Sequence, residues 1–314
     1  MQDPLPIIIF GGSDAHRDTI PEGFTPDDML SGIKGAVQLP SGRCIAGELV
    51  ARLRESGRFL DPILIGPRAA YEGLLDCEIV DVRGDLPATI AAAQATIKKR
   101  YDMSEPVAIT ACDVLPTPDE LRRLLAEAYD PNARCGFWWQ LVAAQPAELG
   151  ASGWKPSYRI ARVAGEAPLT LYPGHLVIMR PGALRLEVYN RFLALAYRYR
   201  NRGVYERAIR MTLRAVGTLL AEDLRTLASF RASALTLSLP YRVFGVYKKL
   251  SAQQLTVNDL ETMAAKIVIA PKFHRQVPEK SFVLSITDIQ SLAKDIDTRG
   301  ELEEAVQRTA AQQE

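Results

Sequence analysis

Ile7-Ile8-Ile9-Phe10-Gly11-Gly12-Ser13-Asp14 is an unbroken apolar run that stops on two glycines. A run this short, bounded by a glycine turn, predicts a buried parallel strand whose loop stands at the C-terminal edge of a sheet. Open α/β sheets bind their ligands at that edge. Glycines there let the backbone approach a phosphate closely and turn successive N–H groups toward it, so a phosphate-bearing ligand is the first expectation.

The same strand signature returns at Pro62–Gly66, Cys77–Asp81 and Pro106–Asp113. Between and after these lie helical patterns at Cys44–Leu53, Pro87–Lys99 and Pro118–Ala128. This alternation predicts a doubly wound, mostly parallel Rossmann-like sheet in three layers. The stretch from Gly11 to Gly42 is rich in Gly, Pro, Asp and Thr and has little periodicity, as expected of a long binding loop. Beyond Tyr129, Gly136–Val142 and Leu169–Met179 are strand-like, and from Leu184 to about Lys266 the pattern is helical. We read an α/β core over 1–185, an inserted helical subdomain over 186–265, and a return to the core over 266–314. That last part carries a strand at Ser281–Ile286 and a helix ending near Ala305.

Composition narrows the function. The chain has 314 residues, 47% of them hydrophobic and 24% charged, with a net charge of +1, the profile of an ordinary globular protein with no bias toward nucleic acid. It has neither an apolar run long enough to span a bilayer nor a signal-peptide pattern, which makes the expected location cytoplasmic. Cys44, Cys77, Cys112 and Cys135 are too dispersed for a zinc or redox motif, and His16, His175 and His274 are isolated. Arg191, Arg198, Arg200, Arg202, Arg207, Arg210 and Arg214 face a single acid, Glu206, over that stretch. Such a face is either solvated, its arginine stems covering apolar neighbours, or in peripheral contact with an anionic ligand or membrane surface.

Three acids stand at a strand end or a helix start: Asp113 in the first half, and Asp295 with Asp297 near the end. The first loop adds its glycines, Arg17 and Lys34. Mg²⁺ takes oxygen ligands, usually one or two carboxylates together with substrate phosphates, and two aspartates from distant positions suit it. Metal with Lys and Arg neutralises charge that develops on a phosphoryl group. Each acid also has a plainer role, since Asp113 or Asp297 would serve as a helix N-cap. Trp138, Trp139 and Trp154 are either core or stacking surfaces for a sugar or base.

The order of these features resembles the MobA-like NTP transferase superfamily, nucleotidyltransferases of glycosyltransferase-A-type fold. The resemblance rests on Phe10-Gly11-Gly12-Ser13, Lys34-Gly35-Ala36-Val37, Ala111-Cys112-Asp113-Val114-Leu115-Pro116 and Asp295-Ile296-Asp297-Thr298-Arg299-Gly300-Glu301-Leu302. Gly84–Thr89 and Tyr172-Pro173-Gly174 with Arg180-Pro181 are weaker matches. It implies that Gly11, Gly12, Ser13 and Arg17 hold NTP phosphates and that Lys34 stabilises the α-phosphate. It further implies that Gly84 and Thr89 bind the base, that Gly174 and His175 meet the acceptor, and that Asp113 and Asp297 hold Mg²⁺. The partners implied are an NTP and a phosphorylated small-molecule acceptor, a sugar or polyol phosphate, with pyrophosphate released. Two alternatives stay open. One is a nucleotide-sugar-dependent glycosyltransferase using Asp295-Ile296-Asp297. The other is a non-catalytic nucleotide-binding or scaffold protein, motivated by Ser13-Asp14-Ala15-His16 where the family keeps a third glycine.

Overall fold

The computed structural model describes residues 3–12, 25–30, 32–131, 133–154, 157–190, 245–246, 248–250, 252–277 and 281–311. Ser13, Arg17 and the arginine-rich stretch from Arg191 to Arg214 lie outside the described residues, as does most of the helical segment read at 186–265.

The opening apolar run forms β1 (Ile7–Phe10), whose three isoleucines are fully buried. Alternation along a strand sends Ile7 and Ile9 to one face and Ile8 to the other. A strand apolar on both faces must be covered on both, and helices cover it. On one side β1 pairs in parallel with β2 (Ile63–Gly66), which pairs in parallel with β3 (Glu78–Asp81). On the other it pairs in parallel with β4 (Val107–Ala111), with Ile8 opposite Ile109.

The parallel series ends there. β5 (Phe137–Ala143), β6 (Tyr158–Ile160), β7 (Leu169–Met179) and β8 (Phe282–Thr287) complete an eight-stranded sheet of order β3-β2-β1-β4-β7-β5-β8, with β6 joined to β7. β7 runs antiparallel to β4, β5 and β6, and β8 is parallel to β5. The sheet is therefore mixed, with β7 as the reversed strand.

One face is covered by α1 (Ile45–Ser56) and α4 (Pro118–Ala128), and the other by α3 (Leu86–Arg100) and α5 (Val257–Val268). Local signals set these bounds. Cys44 caps α1 by accepting the Gly47 N–H, and Gly57 closes it in the left-handed conformation. Thr117 and Glu120 form a reciprocal capping box at the start of α4. α2 (Arg68–Tyr71) is a single turn after β2, α6 (Pro271–Gln276) follows α5, and α7 (Arg299–Ala311) closes the described chain. α5 crosses the boundary read at 265 and packs on the sheet, where Glu261 accepts the Leu284 N–H of β8 at 2.7 Å. No described helix is long and apolar enough to cross a membrane.

Candidate functional site

β1 and β4 end side by side, and the chain beyond β4 carries Asp113. That residue is joined to the C-terminal segment by backbone pairing: Ile296 donates to the Asp113 carbonyl at 2.8 Å, and Val114 bridges Asp295. In an extended segment residues two apart share a side. Asp295 and Asp297 thus turn together toward Asp113, while Ile296 between them packs into a small cluster with Leu30, Leu39 and Ala305. The three aspartates each offer an oxygen within 4.8 Å of the others.

Lys34 enters the same place from a 3-10 turn, Lys34–Ala36. Its ammonium pairs with Asp113 Oδ2 at 3.2 Å and with Asp297 Oδ1. The turn can approach only because residue 35 is glycine: a Cβ there would stand 2.5 Å from the Tyr71 hydroxyl and 2.8 Å from Cys112 Sγ. Tyr71 in turn donates to the Gly11 carbonyl at 2.7 Å. Burial pushes the neighbouring Cys112 thiol up to about 12, so it stays neutral beneath the charged cluster.

Asp297 is held from behind by a capping box. Glu301 accepts the amides of Asp297 at 2.9 Å and Thr298 at 3.1 Å as well as the Thr298 hydroxyl at 3.1 Å, and Thr298 accepts the Glu301 amide. Glu301 is only 4% exposed, so its three donors have no water to turn to. The cap that starts α7 also aims the carboxylate beside it.

A cavity of about 670 Å³ opens from this cluster. Gly12, Lys34, Gly84, Thr89, Asp113, Gly174, His175 and Asp295 all line it. Gly84 takes φ +144°, a conformation glycine reaches without strain, just before Asp85 caps α3 through the Ala88 amide. His175 Nε2 stands 3.9 Å from Asp295 Oδ1. Trp139 lines the cavity and donates its indole N–H to the Gly174 carbonyl at 2.7 Å. Trp138 is core.

The two glycines of the opening stretch divide their duties. The Gly11 amide donates to the Ile65 carbonyl at 2.8 Å, so it is spent inside the sheet and Gly12 is the one at the cavity. Arg180-Pro181 stands at the end of β4 away from the aspartates: Met179 pairs with Val107, and Arg180 donates to the Ser104 carbonyl there. Asp295, one of the three acids the sequence offers, joins Asp113 and Asp297 here, whereas most of the apolar residues of the cavity wall are not among the residues the sequence singles out. The signal for the latter was present in the alternation of Phe137 with Trp139 and of Val177 with Met179.

The carboxylate cluster already accommodates a cation, the Lys34 ammonium, and its donors are hard oxygens, so the residues fit Mg²⁺.

No protein-family model matches the chain, and no curated protein sequence matches it. Among solved structures it is similar to CMP:2-keto-3-deoxy-manno-octonic acid synthetase complexed with CTP, at 10% identity over 98% of this chain and 99% of that one, TM-score 0.46. It is similar also to 4-diphosphocytidyl-2C-methyl-D-erythritol synthase, at 11% identity over 62% of this chain and 80% of that one, TM-score 0.37. The corresponding synthase from Anaerococcus prevotii DSM 20548 matches at 9% identity over 98% and 96%, TM-score 0.42.

Proposed function

We propose that the chain is an Mg²⁺-dependent nucleotidyltransferase that moves NMP from an NTP onto the phosphate of a small acceptor, a sugar or polyol phosphate, and releases pyrophosphate. The observation that carries this reading is the convergence of Lys34, Asp113 and Asp297 beside the β1 loop. In this reading an acceptor phosphate oxygen bonds to the α-phosphorus while the bond to the pyrophosphate oxygen breaks in line. The acceptor is already anionic near neutral pH, so no protein nucleophile or general base is needed. Lys34 offsets the charge that grows on the α-phosphoryl oxygens. Gly12, with Ser13 and Arg17, receives the phosphates; Gly84 and Thr89 receive the base; Gly174 and His175 face the acceptor. Mg²⁺ held by Asp113 and Asp297, with Asp295 adjoining, supplies further charge neutralisation at the phosphates when bound.

The test is pyrophosphate release from each common NTP and dTTP with Mg²⁺ and a panel of phosphorylated acceptors. Asp113→Asn should lower the rate about a hundredfold or more, the scale of losing a preorganised electrostatic group; near wild-type turnover in that variant refutes the site. A second reading, a nucleotide-sugar-dependent glycosyltransferase, draws on Asp295 and Asp297 sharing one side. Release of a nucleoside diphosphate from a nucleotide-sugar, with no pyrophosphate formed from any NTP, would favour it.

A further inference from the structure

The cavity does not stop at the charged cluster. It runs along the face of the sheet, between β4, β7 and β5 on one side and α3 and α5 on the other. Ile109, Phe137, Val177 and Met179 form its floor, and Ile97 and Ala264 lie among its helix walls. From Asp113 back to Val107, which pairs with Met179, the chain covers about 20 Å at the ~3.3 Å rise per residue of a strand. The cavity as a whole, charged end included, measures about 670 Å³, in the size class of a ligand pocket, and its inner part is walled mainly by apolar side chains.

Among the described residues, most of the polar side chains of this inner part are already paired, the Tyr189 hydroxyl being the exception. Gln94 and Asn190 exchange two hydrogen bonds, at 2.6 and 2.9 Å, and the Trp139 indole N–H is held by Gly174. A sugar ring drawn inside would lose hydration at each hydroxyl with little in return, whereas a hydrocarbon would gain from burial. With Mg²⁺ on the aspartates, as the nucleotidyltransferase reading has it, the charged end suits a phosphate, and the inner end suits a chain of methylenes.

We infer that the acceptor is amphiphilic: a polyol phosphate whose phosphate lies at the Lys34–Asp113–Asp295–His175 end and whose hydrocarbon substituent lies along the Ile109–Phe137–Met179 floor. This inference rests on the nucleotidyltransferase reading for the phosphate end and on the cavity alone for the chain.

The full-length protein is assayed for NTP-dependent pyrophosphate release with glycerol 3-phosphate and its 1-acyl derivatives of increasing chain length. Burial of each methylene is worth about fourfold, so kcat/KM should climb by about that factor per methylene until the cavity is filled. Soluble octanoyl derivative and longer chains carried in phosphatidylcholine vesicles are compared. A gain with the soluble chain identifies a free amphiphile, and a gain confined to vesicles identifies a membrane-borne one; either supports the inference. Pyrophosphate release that is indifferent to chain length overturns it and leaves the nucleotidyltransferase reading standing. If no NTP and acceptor pair releases pyrophosphate, that reading fails, and calorimetric binding of the same acyl series decides the chain assignment: affinity that rises with length retains it, and flat affinity removes it. Ala264→Phe, which fills the inner cavity, should cut the ratio of long-chain to short-chain kcat/KM at least tenfold. Should that variant fail to fold, the wild-type chain-length series decides alone.

Discussion

Gly35→Ala tests how the site is assembled, because the added methyl group has nowhere to go. Its position lies 2.5 Å from the Tyr71 hydroxyl and 2.8 Å from Cys112 Sγ, both closer than carbon atoms in folded proteins stand. Tyr71 and Cys112 are fully buried, so neither side chain can swing into solvent. Either the Lys34 turn lifts off or the pair beneath it shifts, and overpacking of this kind costs about 1–3 kcal/mol. Tyr71→Phe alone removes the donor from the buried Gly11 carbonyl, a loss of about 1–3 kcal/mol when the acceptor is left dry. In the double variant the tighter of the two clashes is gone, and only the contact with Cys112 remains. The two changes should therefore fall short of additivity by about 0.5 kcal/mol or more, measured from urea midpoints with a common slope. Gly35→Ala should also depress turnover more than Tyr71→Phe does, since it moves the segment that carries Lys34. Additivity within about 0.3 kcal/mol, or a Gly35→Ala midpoint equal to wild type, would refute the packing argument.

Other outcomes follow from the same geometry. Glu301→Ala strips three donors of a buried acceptor and should lower stability by about 3 kcal/mol while reducing turnover through Asp297; an unchanged rate in the folded variant would separate the cap from the site. Gln140 is fully buried with both side-chain polar atoms unpartnered among the described residues, so Gln140→Met should raise Tm, by the order of 1 kcal/mol of stability; a fall would mean that the amide is satisfied in solution. The Cys112 thiol is raised from 9.0 to about 12 by burial, so its stabilising contribution is complete below pH 9 and drains as pH rises toward 12, at no more than about 1.4 kcal/mol per pH unit. Urea titrations at pH 8 and pH 10 should show wild type losing more stability than Cys112→Ala, and parallel losses would count against that assignment.

Much of this arrangement could be read from the chain because its signals are local. An apolar run reads as a buried strand wherever it lies, and Ile7–Phe10, Ile63–Gly66 and Val107–Ala111 form strands close to where the pattern puts them. The Thr298–Glu301 cap is local as well, and it fixes the start of α7. Strand direction is different. The alternation of Leu169–Met179 is the same read from either end, and only its partners, β4 on one side and β5 on the other, make it antiparallel. β6, three residues long, is too short to show a period at all.

The site divides along the same line. Asp113 follows a legible strand, and the i, i+2 spacing of Asp295 and Asp297 already places them on one side of an extended segment. That this segment lies against the end of β4 is a tertiary fact, carried by the Ile296 amide on the Asp113 carbonyl. Gly11 shows the opposite case, a residue whose type was informative and whose duty was not. The glycine signature marked where the backbone comes close to something, but the something is its own sheet: a Cβ at Gly11 would stand 2.7 Å from Leu64 Cδ2, and a Cβ at Gly66 would stand 2.8 Å from the Gly11 carbonyl oxygen. Close approach of backbone to backbone and close approach of backbone to phosphate demand the same residue. Sequence alone therefore finds the edge of the sheet where the first loop leaves it, and only the partners of each amide separate the glycine that builds that edge from the glycine that faces the cavity.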